Sequence, residues 1–320
     1  MNSTDMNAIV LDRFGAAAEL TPRRIPLPAV GDDDVLIRVQ FAGAASWDTE
    51  EREGHYDNMF GIPTTFPYVL GWDAAGTVAA VGRNVTRFDV GDRVYAATMP
   101  AARGGCYAEF VAVEAEFVAH VPDRLPTDQA GAMAWDAVTA LSGLDTLGLQ
   151  PGETLMIFGA SGGIGHMAVQ LARHHGARVL AVVSGDDGVE LARRSGADHV
   201  VDGHREDVPA AAREFAPDGL DAALVTGGSA AAEKALHTVR ESGRIAWPNG
   251  VMPVPATPPG VTASAFDGDR SRTTTDRLNA IIEASTFQVH LAGTFPLEQA
   301  REAHLALAGH YVGKLALSVS

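Results

Sequence analysis

The chain has 320 residues, 46% hydrophobic and 20% charged, a balance that supports two globular domains with substantial cores. Its 24 Lys and Arg against 40 Asp and Glu give a net charge of −16, and no basic stripe stands out, which argues against a nucleic-acid partner. One cysteine, Cys106, excludes an internal disulfide. With no basic-then-apolar leader pattern at the start and no apolar run of bilayer length, a cytoplasmic protein without a membrane partner is expected.

In chain order, residues 1–122 read mainly as strands: DVLIRVQFAG (34–43), GTVAAVG (76–82), DRVYAAT (92–98) and YAEFVAV (107–113). Gly and Asp-Gly turns separate these β-branched and aromatic runs, the pattern of an antiparallel, barrel-like domain. From about residue 128 the rhythm changes to an Ala-rich helix, DQAGAMAWDAVTALSGLDTL. Strands and helices then alternate: TLMIF (154–158), HMAVQLARHH (166–175), RVLAVV (178–183), VELARRS (189–195), HVVD (199–202), DAALVT (221–226), AAEKALHTVRE (231–241) and RIAW (244–247). That alternation predicts a parallel sheet covered by helices on both faces. The Pro-rich and then Thr/Ser/Asp-rich stretch 248–275 reads as an irregular connection, followed by two helices and a closing strand.

Between TLMIF and its helix lies a glycine loop made of Ala160, Ser161, Gly162, Gly163, Ile164 and Gly165. It fits the dinucleotide fingerprint with alanine in the first position. Small residues let the backbone turn tightly and approach a pyrophosphate, which the free N–H groups of the helix start then receive. The second strand of this unit ends at Val183-Ser184, with no acidic residue there to grip a ribose 2′-hydroxyl. NADPH is therefore expected over NADH, with Ser184 as a donor to the 2′-phosphate. No Lys or Arg lies between Val179 and Glu190 to reward that phosphate, and Asp186 and Asp187 must point away from it. Gly227 and Gly228, after the fourth strand, permit backbone approach to the cofactor.

These segments, together with FPYVLGWDAAGTVAAVGRNVTRFDVGDRVYA, GGCYAEFVAV, SGADHVVD, SGRIAW and GHYVGKLAL, resemble the medium-chain dehydrogenase/reductase superfamily nearly end to end. The nearest resemblance is to its zinc-free quinone oxidoreductase (zeta-crystallin-like) branch. The resemblance implies an α/β chain of two domains. A GroES-like β-barrel catalytic domain would take residues 1–124 and 266–320, and a Rossmann doubly wound parallel-sheet domain residues 125–265, with the cofactor in the cleft between them. It also implies hydride transfer from NADPH to a quinone or an α,β-unsaturated carbonyl (enone), and a homodimer. Thr139 aligns with a threonine that meets the nicotinamide end of the cofactor in this family.

In metal-dependent relatives the turn GWD (71–73) carries a zinc-binding histidine; here it carries Trp72 and Asp73. AGAASWD (42–48) offers no cysteine, so no zinc site is expected. Without a Lewis acid, conjugated carbonyls suit hydride delivery better than simple alcohols, because charge spreads over the enolate. In the substrate-side segment SWDTEEREGHY (46–56), Ala45 stands where relatives carry asparagine and Glu50 where they carry tyrosine. Tyr56 is the candidate proton donor. Ala45, Trp47, Glu50, Trp135 and Asn249 are candidate pocket residues, with Asp136 and His55 weaker ones, and Trp247 is a candidate wall at the cofactor. Asp48 and Asp73 are read as structural braces. The departures at Ala45 and Glu50 keep other readings open: a biosynthetic cyclisation or isomerisation, or cofactor binding without catalysis.

Overall fold

The structure is a computed structural model that describes residues 4–59, 61, 63–99 and 104–319. They fall into two compact units: one from the first 135 residues with Arg270–Asn279 and the chain from Leu291 onward, the other from Asp136–Asp269 with Ala280–His290.

In the first unit, β1 (Asp5–Val10) and β2 (Thr21–Pro26) form an antiparallel pair. The main sheet is built on β3 (Asp34–Ala44), the eleven-residue strand foreshadowed by DVLIRVQFAG. A short helix, α1 (Ser46–Glu53), follows it directly. Then come β4 (Asp73–Val81), β5 (Arg93–Ala97), β6 (Phe110–Glu114), β7 (Val118–His120) and the first turns of α2 (Thr127–Thr146). β4 and β6 both pair with β3, and β5 links β4 to β7, all antiparallel. Register shifts near Leu36 and Val39 bend β3, as bulges do in barrel walls. The side chains it turns inward, Val35, Ile37 and Val39, join Leu11, Leu70, Val94 and Tyr107 in one core.

The second unit begins the alternation at β8 (Thr154–Phe158), followed by α3 (Gly163–His175), β9 (Arg178–Val183), α4 (Gly185–Arg194), β10 (His199–Asp202) and α5 (Val208–Phe215). It continues with β11 (Leu220–Val225), α6 (Ala230–Leu236), β12 (Val239–Pro248) and β13 (Thr262–Phe266). The sheet order is β10-β9-β8-β11-β12-β13, and every pairing is parallel. The order reverses at β8, so the adjoining carboxyl ends of the strands form the switch point where such sheets take ligands. α7 (Arg272–Ala284) starts in the first unit and ends in the second, and β14 (Leu291–Pro296), α8 (Ala300–Leu307) and β15 (Lys314–Ser318) complete the first unit, β15 pairing with β3.

Several elements differ from the sequence reading, among them β14, a strand in a tail expected to hold two helices and one closing strand. The stretch 248–275, expected to be irregular, contains β13: its run TASAF is mostly exposed, the polar composition of an edge strand. α4 starts at Gly185, four residues before the periodic run, because Asp186 and Asp187 favour a helix N-terminus. α1 had no helical signature, and its stability comes from capping.

Candidate active site

The glycine loop of the second unit is held from both sides. Gly159 and Ala160 both donate their N–H to Val182 O of β9, each at 3.0 Å. The Thr226 hydroxyl, from the end of β11, donates to Phe158 O at 2.9 Å. A Cβ on Gly165 would lie 2.1 Å from Gly159 O, so only glycine lets α3 close on β8. Gly162 is the N-cap of α3 and supplies no side-chain cap, which leaves first-turn N–H groups for a ligand. Ser161 is buried, and its Cβ is 3.2 Å from the point where Gly188 of α4 would carry one.

A residue absent from the sequence reading, His166, secures this loop. It is fully buried, with Nδ1 2.8 Å from Gly162 O and Nε2 3.2 Å from the His290 N–H. Since Gly162 O can only accept and His290 N–H can only donate, the ring is neutral with its proton on Nδ1. The histidine following the third glycine of the fingerprint was the available signal.

Of the other cofactor-side residues, Gly227 faces open space, whereas Gly228 is closely approached by the Met252–Pro253 backbone. The close approach read for Gly228 is thus made by the chain's own loop. Ser184 is the N-cap of α4 without a side-chain cap bond. Thr139 is buried on α2, and Asp136, one turn earlier on that helix, is buried too. Trp247 is half-buried against the sheet core, and Asn249 donates its N–H to Phe266 O at 2.8 Å.

The first unit gathers the remaining candidates around α1. Asp48 accepts the Ala45 N–H at 2.8 Å and so caps the helix, and Ala45 itself is buried. Trp72, in the turn before β4, is the hub of an aromatic cluster: its ring centroid is 5.1 Å from Tyr56, 5.5 Å from Trp135 and 6.1 Å from Trp47. Asp73 accepts the Trp135 N–H at 2.7 Å and lies 4.0 Å from Lys314 Nζ, which in turn sits 4.8 Å from the Trp47 ring centroid. The Trp135 indole N–H donates to Thr98 O. The Tyr56 hydroxyl donates to Glu50 Oε2 at 2.5 Å, and burial, then Glu50, raise its pKa well above the usual phenol value. His55 is exposed, and its backbone N–H donates to Glu50 O at 3.0 Å.

Beneath the cluster lies a buried polar network. Glu51 accepts the Tyr68 hydroxyl at 2.5 Å and the Gly71 N–H at 3.2 Å. Burial pushes its pKa up to about 7 even though these bonds and the Trp72 indole pull it down. Asp48 is also raised well above the carboxylate range, by burial and then by Glu51. Arg52 NH1 lies 3.1 Å from His304 Nδ1, and His304 Nε2 lies 3.1 Å from the Tyr107 hydroxyl, which donates to Asp48 at 3.2 Å. Because arginine only donates, Nδ1 is the acceptor, and the donors run His304 to Tyr107 to Asp48. Burial and Arg52 lower the His304 pKa to about 3, which keeps the ring neutral.

Zinc does not fit these residues. Asp48 Oδ2, Glu51 and Asp73 are committed to N–H, hydroxyl and lysine partners, buried Asp48 Oδ1 lacks a hydrogen bond among the described residues, the turn presents an indole, and buried Cys106 packs beside Thr98. Among the described residues, no three His, Cys, Asp or Glu side chains come together to hold an ion. Two clefts of the first unit, about 800 Å³ around Asp33 and Arg87 and about 290 Å³ around Asn7 and Glu298, touch none of the candidate residues.

Comparison with known proteins agrees with the fold. An alcohol dehydrogenase GroES-like domain model matches residues 31–123, and a zinc-binding dehydrogenase model matches residues 163–256. An alcohol dehydrogenase of Geobacillus stearothermophilus is 30% identical over 278 residues, covering 78% of this chain and 80% of that protein. The NADPH-dependent alkenal/one oxidoreductase of Arabidopsis thaliana chloroplasts is 29% identical over 322 residues, 97% of this chain and 79% of that one. Among solved structures, a mycobacterial quinone oxidoreductase superposes with a TM-score of 0.82 at 28% identity, covering 98% of this chain and 99% of that one. The chain belongs to the medium-chain dehydrogenase/reductase superfamily, as an oxidoreductase of its quinone oxidoreductase branch.

Proposed function

We propose that the chain is a zinc-independent reductase that uses NADPH to reduce a quinone or an enone. The observation that carries this reading is Trp72: the turn that would bear a metal ligand instead centres four aromatic rings, in a chain whose other unit holds a well-formed dinucleotide loop. The NADPH and enone named for the Arabidopsis relative support the same reading.

NADPH, when bound, supplies the hydride. The first-turn N–H groups of α3 and the backbone of Ala160–Gly165 hold its pyrophosphate, and Gly227 and Thr139 serve its nicotinamide end. Trp47, Trp72 and Trp135, with Trp72 tilted by 36° to Trp47 and by 59° to Trp135, offer apolar ring faces for a conjugated carbonyl to pack against. Tyr56 and Glu50 share one hydrogen bond at the edge of those rings, which makes the pair the candidate for handling the proton. On this reading, with no Lewis acid at the turn, acceptors that delocalise the added charge react better than simple ketones.

The test is NADPH oxidation with a panel of enones, quinones and simple ketones. Turnover confined to the conjugated acceptors supports the reading. Equal or better turnover of simple ketones contradicts it.

A further inference from the structure

Three loops meet at the carboxyl ends of β8, β9 and β10. The glycine loop is pinned to β9 at Val182. In the β9–β10 pairing Asp202 lies beside Val183, and the Gly203 N–H closes on Val183 O at 2.9 Å. The turn 203–206 therefore runs alongside Ser184–Asp187. Across the gap, Arg205 NH1 lies 2.5 Å from Asp186 Oδ1, and Arg205 Nε lies 3.4 Å from Asp202 Oδ2. Asp202 is only 4% exposed, whereas the side chains of Arg205 and Asp186 are 63% and 86% exposed. The buried Asp202 carboxylate thus faces the Nε edge of the guanidinium at ion-pair distance without hydrogen-bonding it, and the arginine side chain stays largely exposed.

In a sheet of this order the pyrophosphate sits on the glycine loop, and the adenosine ribose reaches the end of the second strand, here β9. That is the position of Ser184, Asp186 and Arg205. We propose that Arg205 selects the cofactor of this chain by exchanging Asp186 for the 2′-phosphate of NADPH, with Asp186 acting as the resident competitor for the same guanidinium. The assignment rests on the NADPH reading above. An exposed ion pair contributes little, so releasing Asp186 costs little. A planar guanidinium matches a phosphate through two parallel hydrogen bonds, which a carboxylate held on one nitrogen does not. NADH, with a hydroxyl in place of that phosphate, gains nothing from Arg205.

This arrangement makes the two residues act in opposite directions. Purified wild type, Arg205→Gln and Asp186→Asn are titrated with NADPH and NADH, and with adenosine 2′,5′-bisphosphate and adenosine 5′-monophosphate as probes of this end alone. Arg205→Gln is expected to weaken NADPH and the bisphosphate about 10- to 100-fold, the scale of a charge-assisted hydrogen bond. NADH and the monophosphate should stay unchanged. Asp186→Asn is expected to tighten NADPH and the bisphosphate several-fold and again to spare the other two. Parallel shifts for both cofactors, no shift with either variant, or weaker NADPH binding in Asp186→Asn would overturn the assignment. The two readings fail separately. Cofactor binding with these shifts but no turnover of any acceptor sinks the reductase alone, and turnover without the shifts sinks the role of Arg205 alone. Wild type that binds neither cofactor sinks both.

Discussion

Tyr56 and Glu50 share a 2.5 Å hydrogen bond in which the phenol is the donor, so the two side chains act as one group. If that group delivers the proton, Tyr56→Phe lowers the rate of enone reduction about 10²-fold or more with NADPH affinity intact. Stopped-flow NADPH oxidation checks this, and an unchanged rate assigns the proton to solvent. The neighbouring Glu51 and His304 make opposed contributions to stability. His304 has its pKa lowered from 6.5 to about 3, so its contribution is complete above about pH 6.5 and is lost as the pH falls. Glu51 has its pKa raised from 4.5 to about 7, so its contribution is complete below about pH 4.5 and is lost as the pH rises through 7. Each slope is at most about 1.4 kcal/mol per pH unit. Urea unfolding at pH 4.5 to 7 should therefore show His304→Gln gaining stability relative to wild type as the pH falls and Glu51→Gln losing it. A common slope for both variants would contradict the two buried environments. The sequence made these side chains visible as types only. That Glu51 is buried under Trp72, or that His304 comes from a distant helix to reach Arg52, depends on strands paired over long separations.

At the level of elements, the sequence carried most of the second unit. Hydrophobic strands and amphipathic helices alternate there with the right period, and the glycine loop falls where β8 meets α3. A methyl group at Gly165 tests that junction: Gly165→Ala places a Cβ 2.1 Å from Gly159 O, a contact that forces α3 away from β8. We expect loss of cofactor binding in a titration, with a stability loss on the overpacking scale of about 1–3 kcal/mol. Unchanged binding would show that α3 can shift without cost to the loop. The elements the sequence did not reveal are those whose stability is not periodic. α1 is capped by Asp48, β13 is a polar edge strand, and His166 ties α3 to the segment after α7 through backbone groups. The Arg205–Asp186 pair was hidden for the same reason, since its members sit 19 residues apart and meet only because β9 and β10 are neighbours.

At the scale of the whole molecule, the expected homodimer predicts a solution mass of twice the 33.5 kDa chain. Light scattering checks it, and a single-chain mass would contradict it. The chemistry proposed for the chain is reduction of a conjugated acceptor by NADPH without zinc, beside a turn that carries Trp72 and Asp73 in place of a metal ligand. The most direct measurement is NADPH-dependent reduction of an enone and a quinone by protein whose zinc content has been determined, before and after treatment with a chelator. Turnover is expected at far less than one zinc per chain, with no loss on chelation. Stoichiometric zinc whose removal abolishes turnover, and whose return restores it, would rule out zinc-independent reduction.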